Sequence, residues 1–342
     1  MDSSGQVYIA KDFQLESGEV LPEAKACYNV FGRLNEKRDN LMVVCHALTG
    51  NARVDQWWGT LLGPGKALDT SKHMVVCANV LGSCYGSTGP TSINPATNKA
   101  YGISFPEVTI RDTARLHMEM VKEALGVPSV LCVVGGSMGG MQALEWGLLG
   151  EDYVKNCVVI GCGAAHSAWQ IGISETQRQA IYADPHWREG DIDPANPPVS
   201  GLAVARQIAM LSYRTAKGYA SKFGREKDAE GRWQVRKYLE YQGHKFKDRF
   251  DAISYIKITE QMDTHDVGRG RGGLDAALGG MKPRVLVMGM DSDVLYPLEE
   301  QIELAAKIPR STFQVIQSLD GHDGFLLEHE QVNASILQFL QS

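Results

Sequence analysis

The sequence predicts an α/β protein with a mostly parallel sheet flanked by helices and a helical insertion late in the chain. Short apolar runs alternate with helical segments over the first 165 residues, this alternation stops for about a hundred residues, and it then returns. The apolar runs are continuous rather than alternating, which is typical of parallel strands that are covered on both faces.

The individual elements follow from local patterns. Residues 6–31 alternate apolar and polar side chains around Ser17-Gly18-Glu19, which predicts a hairpin. Buried strands are expected within residues 40–48, 73–81, 129–136, 154–163, 284–290 and 312–317. Helices are expected at 109–125, where Thr109 is a candidate N-cap, at 138–149, at 298–308 and near 324–340.

The middle of the chain departs from this alternation. Helix-like segments at 201–214 and 233–258 follow the breaker DIDPANPPVSG, and the second is rich in Lys, Arg and aromatic residues. We therefore expect an α/β core formed by residues 1–165 and 272–342, interrupted by a helical lid insertion at 166–271.

Composition limits the class of protein. The chain has 342 residues, a formal net charge of −6, 44% hydrophobic and 22% charged residues. These values favour a large buried core and exclude a mainly disordered chain, and the acidic balance argues against binding to nucleic-acid backbones. No apolar run reaches the roughly 18 residues of a membrane span. The first residues lack a secretory or transit signature, so we expect a cytoplasmic protein.

The sequence contains seven cysteines, and none of them forms a CxxC pair. Cys45, Cys77, Cys132 and Cys157 lie inside apolar, β-branched runs. We therefore expect buried thiols in a reducing compartment, and a structural zinc site has little support.

The strongest chemical signal is Gly135-Gly136-Ser137-Met138-Gly139-Gly140. It contains G-x-S-x-G directly between a predicted strand and a predicted helix, the context of the nucleophile elbow in α/β hydrolases. The turn is so tight that side chains two positions to either side of the serine would collide, which is why glycines occupy them. The pattern predicts the α/β-hydrolase fold with Ser137 as nucleophile.

An activated serine needs a base and a carboxylate that orients it, in the chain order Ser…Asp…His. Asp291 and Asp293 both follow the strand at 284–290, and either suits the spacing. His322 lies in a glycine-rich loop after the last strand and is the predicted base. His46 also follows a strand, but it precedes the serine.

A second signal is the loop His46–Gly50, which follows the strand at 40–48. Hydrolases of this class take one oxyanion-hole N–H from such a loop and another from the residue after the nucleophile. The candidate donors are therefore the backbone N–H groups of Leu48 and Met138. By contrast, the G-x-G-x-x-G match at Gly268–Gly273 has no strand before it, so a dinucleotide site there is not expected.

These residues belong to longer motifs, and from about Gln14 onward the chain resembles the homoserine O-acetyltransferases, which use acetyl-CoA and have the α/β-hydrolase fold. The motifs are CHALTGNA (45–52), WWGTLLGPGKALDT (57–70), ANVLGSCYGSTGPTSINP (78–95), YGISFPEVTIRD (101–112), VVGGSMGGMQALEW (133–146), ARQIAMLSYRT (205–215), DTHDVGRGR (263–271), MDSDVLYP (290–297) and GHDGFLLE (321–328). DTHDVGRGR is most similar to the fungal branch, which includes relatives that acetylate serine or deacetylcephalosporin C.

The resemblance implies a triad of Ser137, Asp293 rather than Asp291, and His322. It also implies substrate-binding roles for Arg206, Tyr213 and Asp323. Because an amino-acid acceptor is a zwitterion, a guanidinium suits its carboxylate and an aspartate suits its ammonium group. Thr49 is a weaker candidate for the wall of the same pocket.

The implied reaction is a ping-pong acetyl transfer from acetyl-CoA to L-homoserine through an acetyl-serine intermediate, a step of methionine biosynthesis. It needs acetyl-CoA as co-substrate but neither a metal nor a bound cofactor, and the family suggests a homodimer. Three alternatives stay open: transfer to L-serine or another hydroxyl, a plain esterase or thioesterase, and a non-catalytic binding module. The sequence does not decide between acetyl and succinyl donors.

Overall fold

The computed structural model describes residues 5–342, so the first four residues of the predicted core lie outside the described part. The strands are β1 Gln6–Gln14, β2 Val20–Phe31, β3 Leu41–Cys45, β4 Met74–Ala78, β5 Ile93–Asn94, β6 Lys99–Ala100, β7 Val130–Gly136, β8 Val154–Ile160, β9 Arg284–Met290 and β10 Ser311–Ile316.

The helices complete the chain order. They are α1 Val54–Trp57, α2 Ile110–Glu123, α3 Met138–Gly150, α4 Ala168–Tyr182, α5 Val199–Ser212, α6 Ala216–Phe223, α7 Gln234–Lys247, α8 Ala252–Asp263, α9 Leu274–Gly279, α10 Leu298–Lys307, α11 Gly324–Leu327 and α12 His329–Gln341. Single 3₁₀ turns occur at Gly102–Ser104, Glu151–Tyr153, Arg188–Gly190 and Gly321–Asp323.

Eight strands form one sheet in the order β1-β2-β4-β3-β7-β8-β9-β10. The hairpin β1–β2 is antiparallel and joins β4 in antiparallel pairing, whereas all neighbours from β4 to β10 are parallel. The predicted α/β-hydrolase fold, with a mostly parallel sheet flanked by helices, is confirmed. The carboxyl ends of the parallel strands meet at one edge, which is where open α/β sheets place their sites.

Side chains of successive strand residues enter two separate cores, one on each face of the sheet. Val133 packs in the larger core and Val134 in the smaller, and β9 divides Val287 and Met288 in the same way. All seven cysteines are buried. Burial raises the pKa of the Cys132 thiol to about 12, so the prediction of buried thiols is confirmed.

Most predicted elements agree with the structure within two or three residues, but two helices are interrupted. The helix predicted at 233–258 is divided into α7 and α8, because the Asp251 side chain accepts a hydrogen bond from Ser254 N at 2.7 Å and caps a new helix. The last helix is interrupted at Glu328, which separates α11 from α12. Thr109 caps α2 in a capping box with Asp112, as predicted.

Helices α4–α8 occupy the chain between β8 and α9, within the predicted insertion. No helix among residues 5–342 is long and apolar enough to span a bilayer. Trp57 and Trp58 stack with ring centroids 5.4 Å apart, and the Trp58 indole donates to Phe325 O at 3.2 Å. Both tryptophans therefore contribute packing beside the carboxyl edge of the sheet.

Candidate active site

Ser137 occupies a strained turn between β7 and α3. Its backbone has φ 58° and ψ −127°, and its N–H donates to Ile160 O at 2.8 Å. A left-handed φ on a residue other than glycine costs about 1–3 kcal/mol and is held only by firm surroundings. The helix that follows places its first N–H groups at this residue.

The glycines around Ser137 are required by backbone contacts. A Cβ on Gly135 would lie 2.2 Å from Gly139 O, and a Cβ on Gly139 would lie 2.1 Å from Cys45 O. Neither backbone oxygen can move without displacing a central strand or the elbow itself. The steric prediction made from G-x-S-x-G therefore has a direct structural basis.

His322 and Asp293 form a buried ion pair at the same edge of the sheet. His322 Nδ1 lies 2.6 Å from Asp293 Oδ2, and both side chains are nearly inaccessible. The other carboxylate oxygen of Asp293 accepts hydrogen bonds from the N–H groups of Leu295 at 2.8 Å and Tyr296 at 3.0 Å. These bonds fix the carboxylate and, through it, the imidazole.

The environment of His322 favours the protonated ring. Burial opposes protonation, but the negative charge and hydrogen bond of Asp293, with a contribution from Asp323, outweigh it and raise the pKa of His322. Nε2 is buried without a hydrogen-bond partner among the described residues. The Tyr296 ring stacks on the imidazole with centroids 5.0 Å apart. The ring is therefore held in place with one nitrogen available.

The two competing residues have other partners. Asp291 accepts a hydrogen bond from Ser318 N at 2.9 Å. Asp293, and not Asp291, is the carboxylate that pairs with His322. His46 accepts from Val80 N through Nε2 at 3.2 Å, so its proton is on Nδ1, which faces Ala47 O at 2.8 Å. Burial lowers the pKa of His46 to about 4, which keeps this ring neutral and structural.

Two cavities meet at Ser137. One is lined by Ala47, Leu48, Thr49, Ser137, Arg206, Tyr213, His322, Asp323, Phe325 and Leu326. The structure therefore brings together, around one cavity, all the predicted site residues except Asp293 and Met138. Asp293 lies behind His322, and Met138 is the first residue of α3, so its N–H has no acceptor within the helix.

Arg206 forms no direct ion pair among the described residues, although its charge acts on the nearby carboxylate of Asp323. Its guanidinium lies over the rings of Tyr213 at 5.7 Å and Phe246 at 5.2 Å, and Nη1 is buried without a hydrogen-bond partner in residues 5–342. No carboxylate forms an ion pair with it in that part of the chain. An unpaired buried charge is costly, so this arrangement suits an anionic ligand.

Asp323, in contrast, already has a cation. Arg214 Nε lies 2.8 Å from its carboxylate, and Arg214 also pairs with Asp320. Burial raises the pKa of Asp323, against the opposing charges of Arg214, His322 and Arg206. The carboxylate of Asp323 and the guanidinium of Arg214 therefore form an ion pair beside His322.

The second cavity includes residues that the sequence analysis did not identify. Its lining is Leu48, Ser137, His166, Gln170, Ile173, Ser174, Gln177, Tyr213, Met262, Leu295 and Tyr296. His166 Nε2 lies 3.0 Å from the Tyr296 hydroxyl and Nδ1 lies 3.1 Å from Asp263. Tyr296 lies in the motif MDSDVLYP, so the sequence contained a signal that could have identified it. Nothing in the sequence singles out His166.

Comparison with known proteins gives consistent results. The sequence model of the alpha/beta hydrolase fold matches residues 40–328. The homoserine O-acetyltransferase of Nostoc punctiforme is 48% identical over 331 residues, which cover 95% of this chain and 93% of that protein. The homoserine O-acetyltransferase of Salinibacter ruber is 49% identical over 326 residues, 93% of this chain and 92% of that protein. The predicted similarity to a fungal branch is not tested by these matches and stays a prediction.

A solved structure agrees on the fold. The crystal structure of homoserine O-acetyltransferase from Bacillus anthracis superposes with a TM-score of 0.91, covering 98% of this chain and 97% of that one. At 24% sequence identity the likeness concerns the fold alone.

Proposed function

The chain belongs to the homoserine O-acetyltransferase family of α/β hydrolases, and from this premise we propose that it transfers the acetyl group of acetyl-CoA to the hydroxyl of L-homoserine. The observation that carries the proposal is the guanidinium of Arg206, which shares a cavity with Ser137 and His322 and lacks a carboxylate partner among residues 5–342. An amino-acid acceptor supplies that carboxylate, and the acetylated product fits a step of methionine biosynthesis.

Ser137 is the proposed nucleophile and His322 its base. His322 Nε2 takes the hydroxyl proton as Ser137 Oγ attacks the thioester carbon, and the proton passes to the sulfur of CoA when the C–S bond breaks. The 2.6 Å contact between His322 and Asp293 supports Asp293 as the residue that orients the base. This half-reaction leaves an acetyl-serine enzyme and free CoA.

The second half-reaction uses the same groups. The acceptor hydroxyl gives its proton to His322 and attacks the acetyl carbon, after which Ser137 Oγ leaves and recovers the proton. The backbone N–H groups of Leu48 and Met138 are the proposed donors to the tetrahedral oxyanion in both steps. Every proton and electron pair in this scheme is carried by the triad and the two substrates, and acetyl-CoA is consumed as co-substrate.

Acceptor binding is proposed to use both charges of the zwitterion. Arg206 would bind the carboxylate in bidentate fashion, with the Tyr213 ring holding the guanidinium in place. Asp323 would bind the ammonium group, although it must share its charge with Arg214 at 2.8 Å. Thr49 lines the same cavity and is a candidate contact to the acceptor.

The helical lid insertion, residues 166–271, is proposed to cover the core formed by the rest of the chain. It supplies Arg206 and Tyr213 to one cavity and His166 to the other. Exclusion of water by this insertion favours transfer over hydrolysis of the acetyl-serine. We also propose a homodimer and a cytoplasmic location.

A plain esterase and a serine acetyltransferase are the competing activities, and one assay separates them. We would measure CoA release from acetyl-CoA with a thiol reagent, without acceptor, with L-homoserine and with L-serine. The proposal predicts strong stimulation by homoserine alone. Equal release without any acceptor indicates a hydrolase, and stimulation by serine alone changes the acceptor. The Ser137→Ala variant is the control and should release no CoA.

A further inference from the structure

The charge of the chain is unevenly distributed. Residues 214–249 contain 11 Lys and Arg against 5 Asp and Glu, a net charge of +6 in a chain whose total is −6. This stretch includes α6 and α7, the part of the insertion that the sequence singled out as rich in cations and aromatic rings. The acetyl transfer proposed above assigns no role to the cations of α6 and α7.

On α6 and in the turn between α6 and α7, three cations lie on aromatic rings rather than on carboxylates. Lys222 Nζ is 4.5 Å from the centroid of the Tyr238 ring. Lys227 Nζ and Arg225 Cζ are 4.5 and 5.2 Å from the centroid of Trp233. We call these five residues the basic–aromatic face.

The cations of this face carry uncompensated charge. None of the three forms an ion pair in the part of the chain that the structure describes, whereas their neighbours Arg232 and Arg236 pair with acidic residues. Lys222 and Arg225 are exposed, and Trp233 keeps 39% of its surface accessible. An accessible ring flanked by free cations suits a planar base that carries phosphate groups.

The face adjoins the active site. Lys222 and Tyr238 line a small surface cavity together with Arg214 and Asp320. Arg214 in turn pairs with Asp323, which lines the cavity of Ser137. Helix α6 has eight residues and is about 12 Å long. A ligand whose reactive end lies at Ser137 can therefore reach Lys222, near the carboxyl end of α6, if it has a long flexible arm.

We propose that the basic–aromatic face binds the phosphorylated adenosine of the CoA donor. The phosphates would contact Lys222, Arg225 and Lys227, and adenine would pack against the part of the Trp233 ring that these cations leave accessible. A local positive field also raises the encounter rate of a polyanionic donor with an acidic protein. This inference rests on the proposed function, since it names the surface by which the same site receives its donor.

The test compares two donors that differ only in the nucleotide. Acetyl-CoA carries the phosphates and adenine, whereas S-acetyl-pantetheine has the same thioester and arm without them. The test variant is Lys222→Glu/Lys227→Glu. The matched control is Lys37→Glu/Lys155→Glu, which changes the net charge equally at two exposed lysines near the amino ends of β3 and β8, opposite the site edge.

The expected result is a rise of about tenfold or more in KM for acetyl-CoA in the test variant alone, with unchanged kcat/KM for S-acetyl-pantetheine. Added salt should raise the KM of the unmodified protein for acetyl-CoA but not for S-acetyl-pantetheine. An unchanged KM for acetyl-CoA, or an equal loss with both donors, overturns the proposal.

A binding measurement makes the test independent of turnover. Calorimetric titration with CoA and with pantetheine should give tighter binding of CoA, and the test variant should lose this difference. Equal binding of the two ligands by the unmodified protein overturns the inference whatever the enzyme acetylates. Absence of CoA release in the assay, with CoA still bound at this face, instead overturns the proposed function and leaves this inference standing.

Discussion

Single side chains in the site differ in whether their charge has a partner. His322 is bound by Asp293 at 2.6 Å, and Asp323 is bound by Arg214 at 2.8 Å. Arg206 has aromatic rings around its guanidinium. Since leaving a buried charge unpaired is costly, the proposed function assigns the carboxylate of the acceptor to Arg206.

The first prediction concerns Arg206. Replacing it by methionine, Arg206→Met, keeps the packing against Tyr213 and removes the charge. We expect kcat/KM for L-homoserine to fall about 10²-fold or more, as for loss of a buried charged hydrogen bond. Activity with 3-aminopropan-1-ol, which lacks the carboxylate, should change little. An equal loss with both acceptors would show that Arg206 shapes the pocket rather than binding the carboxylate.

The second prediction concerns pH. The base must be neutral to accept a proton, so the rate falls as pH drops through the His322 pKa, which Asp293 and Asp323 raise. In Asp293→Asn the charge is lost while burial remains, so the acid limb should move to lower pH. The maximal rate should fall about 10⁴-fold because the asparagine amide favours the tautomer with its proton on Nε2, which cannot accept the serine proton.

Asp291→Asn is the matched control for this pH profile. Asp291 accepts a hydrogen bond from Ser318 N and does not pair with His322. The acid limb of the pH profile of Asp291→Asn should therefore coincide with that of the unmodified protein. A shift in the control, or none in Asp293→Asn, would contradict the assignment of the orienting residue. The measurement is kcat/KM for CoA release over the range from mildly acidic to mildly basic pH.

Residue types and their order in the chain lead to Ser137 and His322 as candidates, and the two residues line one cavity. Spacing did not separate Asp291 from Asp293, because both follow β9 and only the path of the loop decides which one reaches the imidazole. The Arg214 partner of Asp323 was not predicted either, since 109 positions separate the two residues in the sequence. Long-range pairs of this kind depend on tertiary packing, which a local pattern does not contain.

At the level of elements, the elbow between β7 and α3 combines strain with close backbone contact. Ser137 has φ 58°, and the turn brings Gly139 against the last residue of β3. The site geometry therefore depends on two strands and a helix approaching more closely than side chains allow.

The third prediction tests this contact. Gly139→Ala places a Cβ 2.1 Å from Cys45 O, so we expect a loss of at least about 3 kcal/mol in the free energy of unfolding. The control is Gly172→Ala on α4, where a Cβ meets nothing within 4 Å, and it should stabilise by up to about 1 kcal/mol. Denaturant titration checks both, and similar stabilities would refute the steric argument.

Element boundaries were predictable where a local signal marked them. Thr109 and Asp112 form the capping box of α2, and the helix starts where the pattern placed it. The division of 233–258 into α7 and α8 was not predicted, because Asp251 caps a helix only after the chain has turned at 248–251. The small hairpin β5–β6 has two residues per strand, which is too short for a periodic pattern.

At the level of the whole molecule, an ion-pair network joins segments that are distant in the sequence. Glu145 on α3 is 2% exposed and pairs with Arg111 of α2 and Arg271 of the loop before α9. Arg111 and Arg269 also pair with Glu16 at the β1–β2 turn. The glycine- and arginine-rich stretch that matched a dinucleotide pattern therefore has a structural role, because its ion pairs fix the chain between α8 and α9 against α3 and the β1–β2 turn.

The fourth prediction follows from this network. Glu145→Ala leaves Arg111 and Arg271 without their shared buried carboxylate, so we expect a loss of about 3–5 kcal/mol in the free energy of unfolding. Glu240→Ala is the matched control, because its pair with Arg236 on α7 is exposed, and it should change stability by about 0.5 kcal/mol or less.

A double variant separates lost pairing from lost packing. Because Arg271 has its closest carboxylate contact with Glu145, at 2.7 Å, Glu145→Ala/Arg271→Ala should cost less than the sum of the two single variants. Additive losses, measured by denaturant titration, would mean that the two residues act independently. In that case the return of the chain to β9, and with it the position of Asp293, would depend on packing rather than on these charges.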